Sequence, residues 1–292
     1  MKKTVNLLSL TVGFFLIASL FYACSKESSS INGPVPSGKQ SASIYLTDGP
    51  GFFDKVLIDV RSVQVKVDTC SHTNNPGWRD DDDRDDHDGH DSCVVWDTLN
   101  VTPGVYDLLT LRNGVDTLFA GGILPAGKII AIKIQLGPDN SLVKDSVSYP
   151  LNLPPNMDST ITVRLRGDEW DEFSPGRVRL WLDFDCTRSI IRVRDNEFFL
   201  SPFIRVFTIK TTGSVAGRVT PGAAYPVITV YNSSDSSYAL PDREGNFKVR
   251  GLDAGTYSVF VNASNGYADT TITGVTVTAN HEVWLGNIQL HK

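Results

Sequence analysis

The stretch "KVLIDVRSVQVKV", residues 55–67, decides the class of fold. Val56, Ile58 and Val60 recur at every second position, and Val63, Val65 and Val67 do the same one residue out of phase. A period of two sends successive side chains to opposite faces of a strand, whereas a helix would space them three or four apart. The slip near Arg61 and Ser62 predicts a β-bulge, an extra residue that returns the apolar set to the same face.

The same period extends outward in both directions. It appears in "SASIYLT" (41–47), "VYDLLTL" (105–111), "IIAIKIQL" (129–136) and "DSVSYPL" (145–151). It continues through "TITVRLR" (160–166), "RVRLWLDFD" (177–185) and "EFFLSPFIRVFTI" (197–209). Gly, Pro, Asn or Asp punctuates each run, as strand ends require. Long amphipathic helical patterns are missing, and "CTRSIIRV" (186–193) leaves room for a single turn. A second series of short strands begins near Gly213. The expected fold is all-β: two tandem antiparallel, Ig-like β-sandwiches over residues 40–209 and 213–292.

Ahead of them the chain opens on "MKK" and the apolar run "VNLLSLTVGFFLIASLFYA", residues 5–23. A basic start, an apolar middle and a small residue at the end read as an export signal over residues 1–23. Ala23 followed by Cys24 resembles a bacterial lipoprotein signal, which implies that Cys24 carries the lipid and ties the protein to the outer membrane. Residues 24–39, rich in Ser, Gly and Pro, then act as a flexible tether.

Charge is concentrated in one place. The chain carries a net −6, which becomes −8 once Lys2 and Lys3 leave with the signal. Eight aspartates between residues 79 and 91, set against Arg79 and Arg84, supply −6 of it. The body is close to neutral and lacks a basic stripe, which argues against nucleic acid as a partner. The acidic insert spans residues 71–92. Asp80, Asp82, Asp83, Asp85, Asp86, Asp88 and Asp91 are oxygen ligands of the kind Ca²⁺ takes. An EF-hand register fails, because Gly89 at the sixth loop position puts Arg84 first and Val95 twelfth. His72, His87 and His90 offer a weaker transition-metal alternative. A solvated loop is the favoured reading, with Ca²⁺ the one cofactor it leaves open.

Export implies an oxidising compartment, and Cys70 and Cys93 bracket the insert, so a disulfide between them is expected. Cys186 is left over as a buried thiol. Asp48, at a strand end before Gly49 and Pro50, is expected to cap a turn, with a functional ligand as the less favoured alternative. The cluster Asp168, Glu169, Asp171 and Glu172 reads as a charged hairpin turn with Trp170 at its base. No G-x-S-x-G, H-E-x-x-H or phosphate-cradling loop occurs, so no enzyme activity is expected. Exposed aromatics suit sugar rings, and Trp78 and Trp170 are the candidate platforms, with Tyr225, Tyr267 and Trp284 as further ones.

Two resemblances cover nearly all of the exported chain. "GSVAGRV" (213–219), "REGNFKVRGLDAGTYSVFV" (243–261) and "VTVTANHEVWLGNIQL" (275–290) resemble the carboxypeptidase regulatory-like, or prealbumin-like, domain. That implies a non-catalytic module, with Gly245 and Gly255 at turns of unusual φ and Phe247, Leu252, Tyr257 and Val259 in the core. "YLTDGPGFFDKVLIDVRSVQV" (45–65), "YDLLTLRNG" (106–114), "LPAGKIIAIKIQLG" (124–137), "LDFDCTRSI" (182–190) and "FFLSPFIRV" (198–206) resemble the DUF4382 family of exported lipoproteins. The expected function is a lipid-anchored envelope protein that binds or scaffolds, with carbohydrate or envelope proteins as partners. The rival is a Ca²⁺-dependent adhesion or structural protein using the insert.

Overall fold

The computed structural model describes residues 33–49, 51–70, 93–165 and 172–292. The signal segment, Cys24, most of the tether, the acidic aspartates, Trp78 and Trp170 lie outside the described residues.

Fourteen strands build the first sandwich. They are β1 (Lys39–Asp48), β2 (Lys55–Asp68), β3 (Val94–Val101), β4 (Gly104–Asp107), β5 (Thr117–Pro125), β6 (Lys128–Leu136) and β7 (Ser141–Lys144). After them come β8 (Val147–Asn152), β9 (Thr160–Arg164), β10 (Glu172–Ser174), β11 (Arg177–Phe184), β12 (Ile190–Arg194), β13 (Glu197–Leu200) and β14 (Ile204–Phe207). A four-residue helix, α1 (Cys186–Ser189), follows β11, in the place left for a single turn. Among the described residues no helix is long and apolar enough to cross a membrane.

The strand β2 behaves as its sequence requires. Val56, Ile58, Val60, Val63, Val65 and Val67 are all buried. Its ladder with β6 shifts register between Val60 and Ser62, where the phase slip lies. The bulge therefore keeps six apolar side chains on one face across 14 residues. That face meets Ile44 and Leu46 of β1, Ile132 and Ile134 of β6, and Leu180 and Leu182 of β11 in one continuous core. Burial of this apolar set is the main stabilising contribution.

The second sandwich is made of β15 (Gly213–Thr220), β16 (Val227–Tyr231), β17 (Ser236–Ala239), β18 (Asn246–Leu252), β19 (Gly255–Asn262), β20 (Thr270–Val277) and β21 (Glu282–Gln289). A three-stranded sheet, β18-β15-β21, faces a four-stranded one, β17-β16-β19-β20. Phe247, Leu252, Tyr257 and Val259 lie in its separate core, as the motif implied. Gly245 has φ +88°, and an added Cβ there would collide with the Val219 carbonyl oxygen. The second unusual φ is not at Gly255 but at Gly251, at +69°.

One detail departs from the antiparallel expectation. The β1–β11, β8–β13 and β15–β21 ladders are parallel, while the other described ladders are antiparallel. These partners are far apart in sequence, so no tight hairpin dictates their direction; crossover connections do.

Cys70 and Cys93 form the expected disulfide, with Cα atoms 5.3 Å apart. Thr69 reinforces the neck of the loop, its hydroxyl donating to the Cys93 carbonyl at 2.6 Å. Replacing Cys70 by serine should cost about 3 kcal/mol in the chain-entropy account of a loop this size. Urea denaturation of the oxidised wild type and the variant measures that loss.

Candidate functional site at the joint between the sandwiches

Strands β1 and β11 run parallel and in register, with Thr47 opposite Asp183 and Asp48 opposite Phe184. Their C-terminal ends therefore arrive together, which brings "LTDGP" beside "LDFDC". In β11, Val178, Leu180, Leu182 and Phe184 enter the core. The alternate positions hold Trp181 and Asp183, and these are buried too. A strand covered on both faces needs a second layer. The second sandwich provides it.

The outer face carries an aromatic row. Tyr45 stacks on Trp181 with ring centroids 5.1 Å apart, and Trp181 stacks on Phe207 at 6.1 Å. Arg250, from the second sandwich, lies over the Trp181 ring at 5.6 Å. Its Nη1 donates to Asp116 Oδ2 at 2.7 Å and to the Gly114 carbonyl at 3.1 Å. The Trp181 indole N–H donates to the same Asp116 oxygen at 2.8 Å. Gly251 permits this approach, since a Cβ there would sit 2.8 Å from the Phe207 ring.

Beside the row is a charged network. Arg205 of β14 donates through Nη2 to Asp183 Oδ2 at 2.7 Å and to Ser237 Oγ at 3.1 Å. Through Nη1 it donates to Asp235 Oδ2 at 2.9 Å. Burial opposes its charge, but Asp183 and Asp235 more than offset that, so its pKa is raised. Arg188 of α1 donates to the Ser236 carbonyl at 2.7 Å. Asp185 caps α1 by accepting from the Arg188 amide at 3.0 Å. Asn113 adds a direct tie, donating to the Leu240 carbonyl at 2.9 Å. Each guanidinium thus binds both sandwiches at once, with the planar multi-donor geometry that suits arginine.

Asp48 stands apart. It is 6% exposed, and neither carboxylate oxygen has a hydrogen-bonding partner. It does not cap its turn, contrary to the sequence expectation, because the strand end carries it inward beside Cys186. Burial pushes its pKa well up; the nearby Cys186 thiol and amide favour the charged form but do not reach it as hydrogen bonds, and Asp183 and Asp185 add repulsion. Asp183 is also raised, by burial first, with Arg205 opposing. Burial likewise pushes the Cys186 thiol well up, and Asp48 adds to that, so the leftover thiol is not an activated nucleophile.

The sign for pH follows from these directions. Carboxyls with folded pKa values above the unfolded one bind protons more tightly when folded. Their contribution is fully present below the unfolded value, near 3.8, and is lost as pH rises towards the folded value. In chelator-treated samples, the urea midpoint of the wild type should fall as pH rises from 5 to 8. Asp48→Asn, which cannot ionise, should flatten that decline.

Several residues of this joint escaped sequence reading. Arg205, Arg250 and Asp116 belong to different strands or sandwiches, and no local spacing joins them. A usable signal did exist in "RVRLWLDFD", whose outward positions hold a tryptophan and an aspartate in place of a wet face. Of the further aromatic platforms, Trp284 is 60% exposed on β21. In the described part of the neck, Asp68, Cys70 and Cys93 bring three ligand-type atoms within 4.8 Å, but both sulfurs are committed to the disulfide.

Comparison with curated proteins finds none that matches. Among solved structures, similar chains include a type II cohesin–X-dockerin complex from Acetivibrio cellulolyticus, 26% identical over 27% of this chain, with a TM-score of 0.22. This chain spans about half of that one, 56% of its length. The shaft pilin SpaA from Lactobacillus rhamnosus GG is 11% identical over 86% of this chain and 97% of its own, with a TM-score of 0.22. The minor pilin GBS52 from Streptococcus agalactiae is 12% identical over 86% and 96%, again with a TM-score of 0.22. Residues 39–202 match the model of the domain of unknown function DUF4382, and the chain belongs to that family.

Proposed function

We propose that this protein is a non-catalytic, lipid-anchored envelope module whose two sandwiches are welded into one rigid binding or scaffolding body. The joint carries this reading. Arginines bonded to both sandwiches, and an aromatic row sealed by Arg250 and Gly251, oppose the hinge motion that is the default between domains. The second sandwich is assigned to the carboxypeptidase regulatory-like type on its motifs and its separate core. The buried, proton-holding Cys186 supports a non-catalytic role, as do the exposed positions of His281 and His291. Cys24 would carry the lipid, and residues 25–39 would hold the body away from the outer membrane. Metabolic labelling with a fatty-acid analogue tests the anchor: label should enter the wild type and vanish in Cys24→Ser. Label on both, or on neither, rejects it.

One observation favours carbohydrate as the bound class. Trp284 is largely open to solvent on β21, an edge strand of its three-stranded sheet, as sugar stacking requires. A glycan array probed with the full chain should give hits that Trp284→Ala abolishes. Hits unchanged by that substitution would remove Trp284 as the platform.

A further inference from the structure

A cavity of about 30 Å³ lies in the joint, lined by Asp48, Asp183, Asp185, Arg205, Ser237 and Arg250 among others. A single water needs roughly 10–15 Å³ on this measure, so the space holds one small ion with a water. Asp48, Asp183 and Asp185 are each more than nine-tenths buried. With Asp235 they make four acidic groups, while Arg188 and Arg205 are the two cations paired with them. Arg250 is already paired with Asp116, and Lys248 with Glu282. The cluster is therefore two positive charges short, and both buried oxygens of Asp48 lack a partner.

We propose that the joint is a binding site for a hard divalent cation, Ca²⁺ or Mg²⁺, held directly by Asp48 and completed by Asp183 or Asp185 and water. A buried carboxylate without a donor is costly, and a divalent ion supplies the missing charge and the missing coordination together. Oxygen ligands select a hard cation. The three carboxylates do not all lie within 4.8 Å of one another, so binding draws Asp183 or Asp185 inward. Asp183 is held by Arg205 at 2.7 Å and Asp185 by Arg188 at 3.4 Å, so the ion takes over from one of these pairings. The cation thereby tightens the joint itself, at a place distinct from the acidic insert.

The test begins with thermal melts of the full chain in chelator and in 1 mM CaCl₂ or MgCl₂. If the affinity is near 10 µM, the melting temperature should rise by about 5 °C or more. The rise should disappear in Asp48→Asn and persist when the aspartates of residues 79–91 are replaced by asparagine. No rise in the wild type with either ion overturns the proposal and leaves a proton on Asp48. A rise that survives Asp48→Asn, or that vanishes with the insert aspartates, also overturns it. A second measurement does not depend on that variant's folding. Trp181 and Asp183 are two apart on one strand face, about 7 Å, so bound Tb³⁺ excited through tryptophan should luminesce and be competed by Ca²⁺. Trp181→Phe should lose most of that signal; an undiminished signal places the ion elsewhere.

Discussion

Replacing Arg205 by alanine should cost about 3–5 kcal/mol of stability, because one side of a buried charge pair is removed and the other remains. Asp183 would keep its burial and lose its donor at 2.7 Å, and Asp235 and Ser237 would lose theirs across the joint. Two readouts separate this from a general packing defect. Asp183 then loses its main cation and keeps only the weaker influence of Arg188, so the variant should regain stability as pH falls and the carboxyl takes up a proton. Adding Asp183→Asn should restore part of the loss, giving a large coupling energy in a double-mutant cycle. Because Arg205 reaches both sandwiches, calorimetry should also show two transitions where the wild type shows one. Additive losses and an unchanged single transition would show that Arg205 does not couple the two bodies.

Phe247→Ala should have an effect of similar size by a different route, again about 3–5 kcal/mol. Phe247 is 2% exposed and heads the fully buried side chains by volume. Its ring occupies space that Gly217 leaves open, since a Cβ on Gly217 would lie 2.9 Å from it. Removing the ring leaves a cavity that two facing sheets cannot close. The loss should fall first on the second core, because Phe247 belongs to that cluster and not to the first. Hydrogen exchange should then rise in β15 to β21 while β2 and β6 stay protected. Gly217→Ala should mimic part of the effect by pressing on the same ring. Loss of protection in both sandwiches would mean that the cores are not energetically separate.

How much of this was legible beforehand depends on the range of the interaction. The alternation in residues 55–67 determined the strand, its buried face and its bulge, because side-chain direction along a strand is a local property. The one-turn helix at Cys186, the disulfide across the insert and the core role of Phe247 were readable because each rests on residues close in sequence or on a local motif. The misassigned glycine shows the limit. Gly251 must lack a side chain because Phe207, 44 positions earlier, occupies that space, and nothing near Gly251 announces it.

The aspartates show the same limit at the candidate site. Read locally, Asp48 before Gly49 is a turn cap, and the charge of the chain points to residues 79–91. The parallel pairing of β1 with β11 changes both readings. It sets Asp48 beside Cys186, Asp183 and Asp185, and the second sandwich then shuts water out. By itself the sequence determined the strands, their faces and the two cores, since a repeat of two along the chain suffices for those. Only the tertiary structure decided which charges are buried together, because burial and pairing depend on groups distant in sequence that meet once both sandwiches have formed.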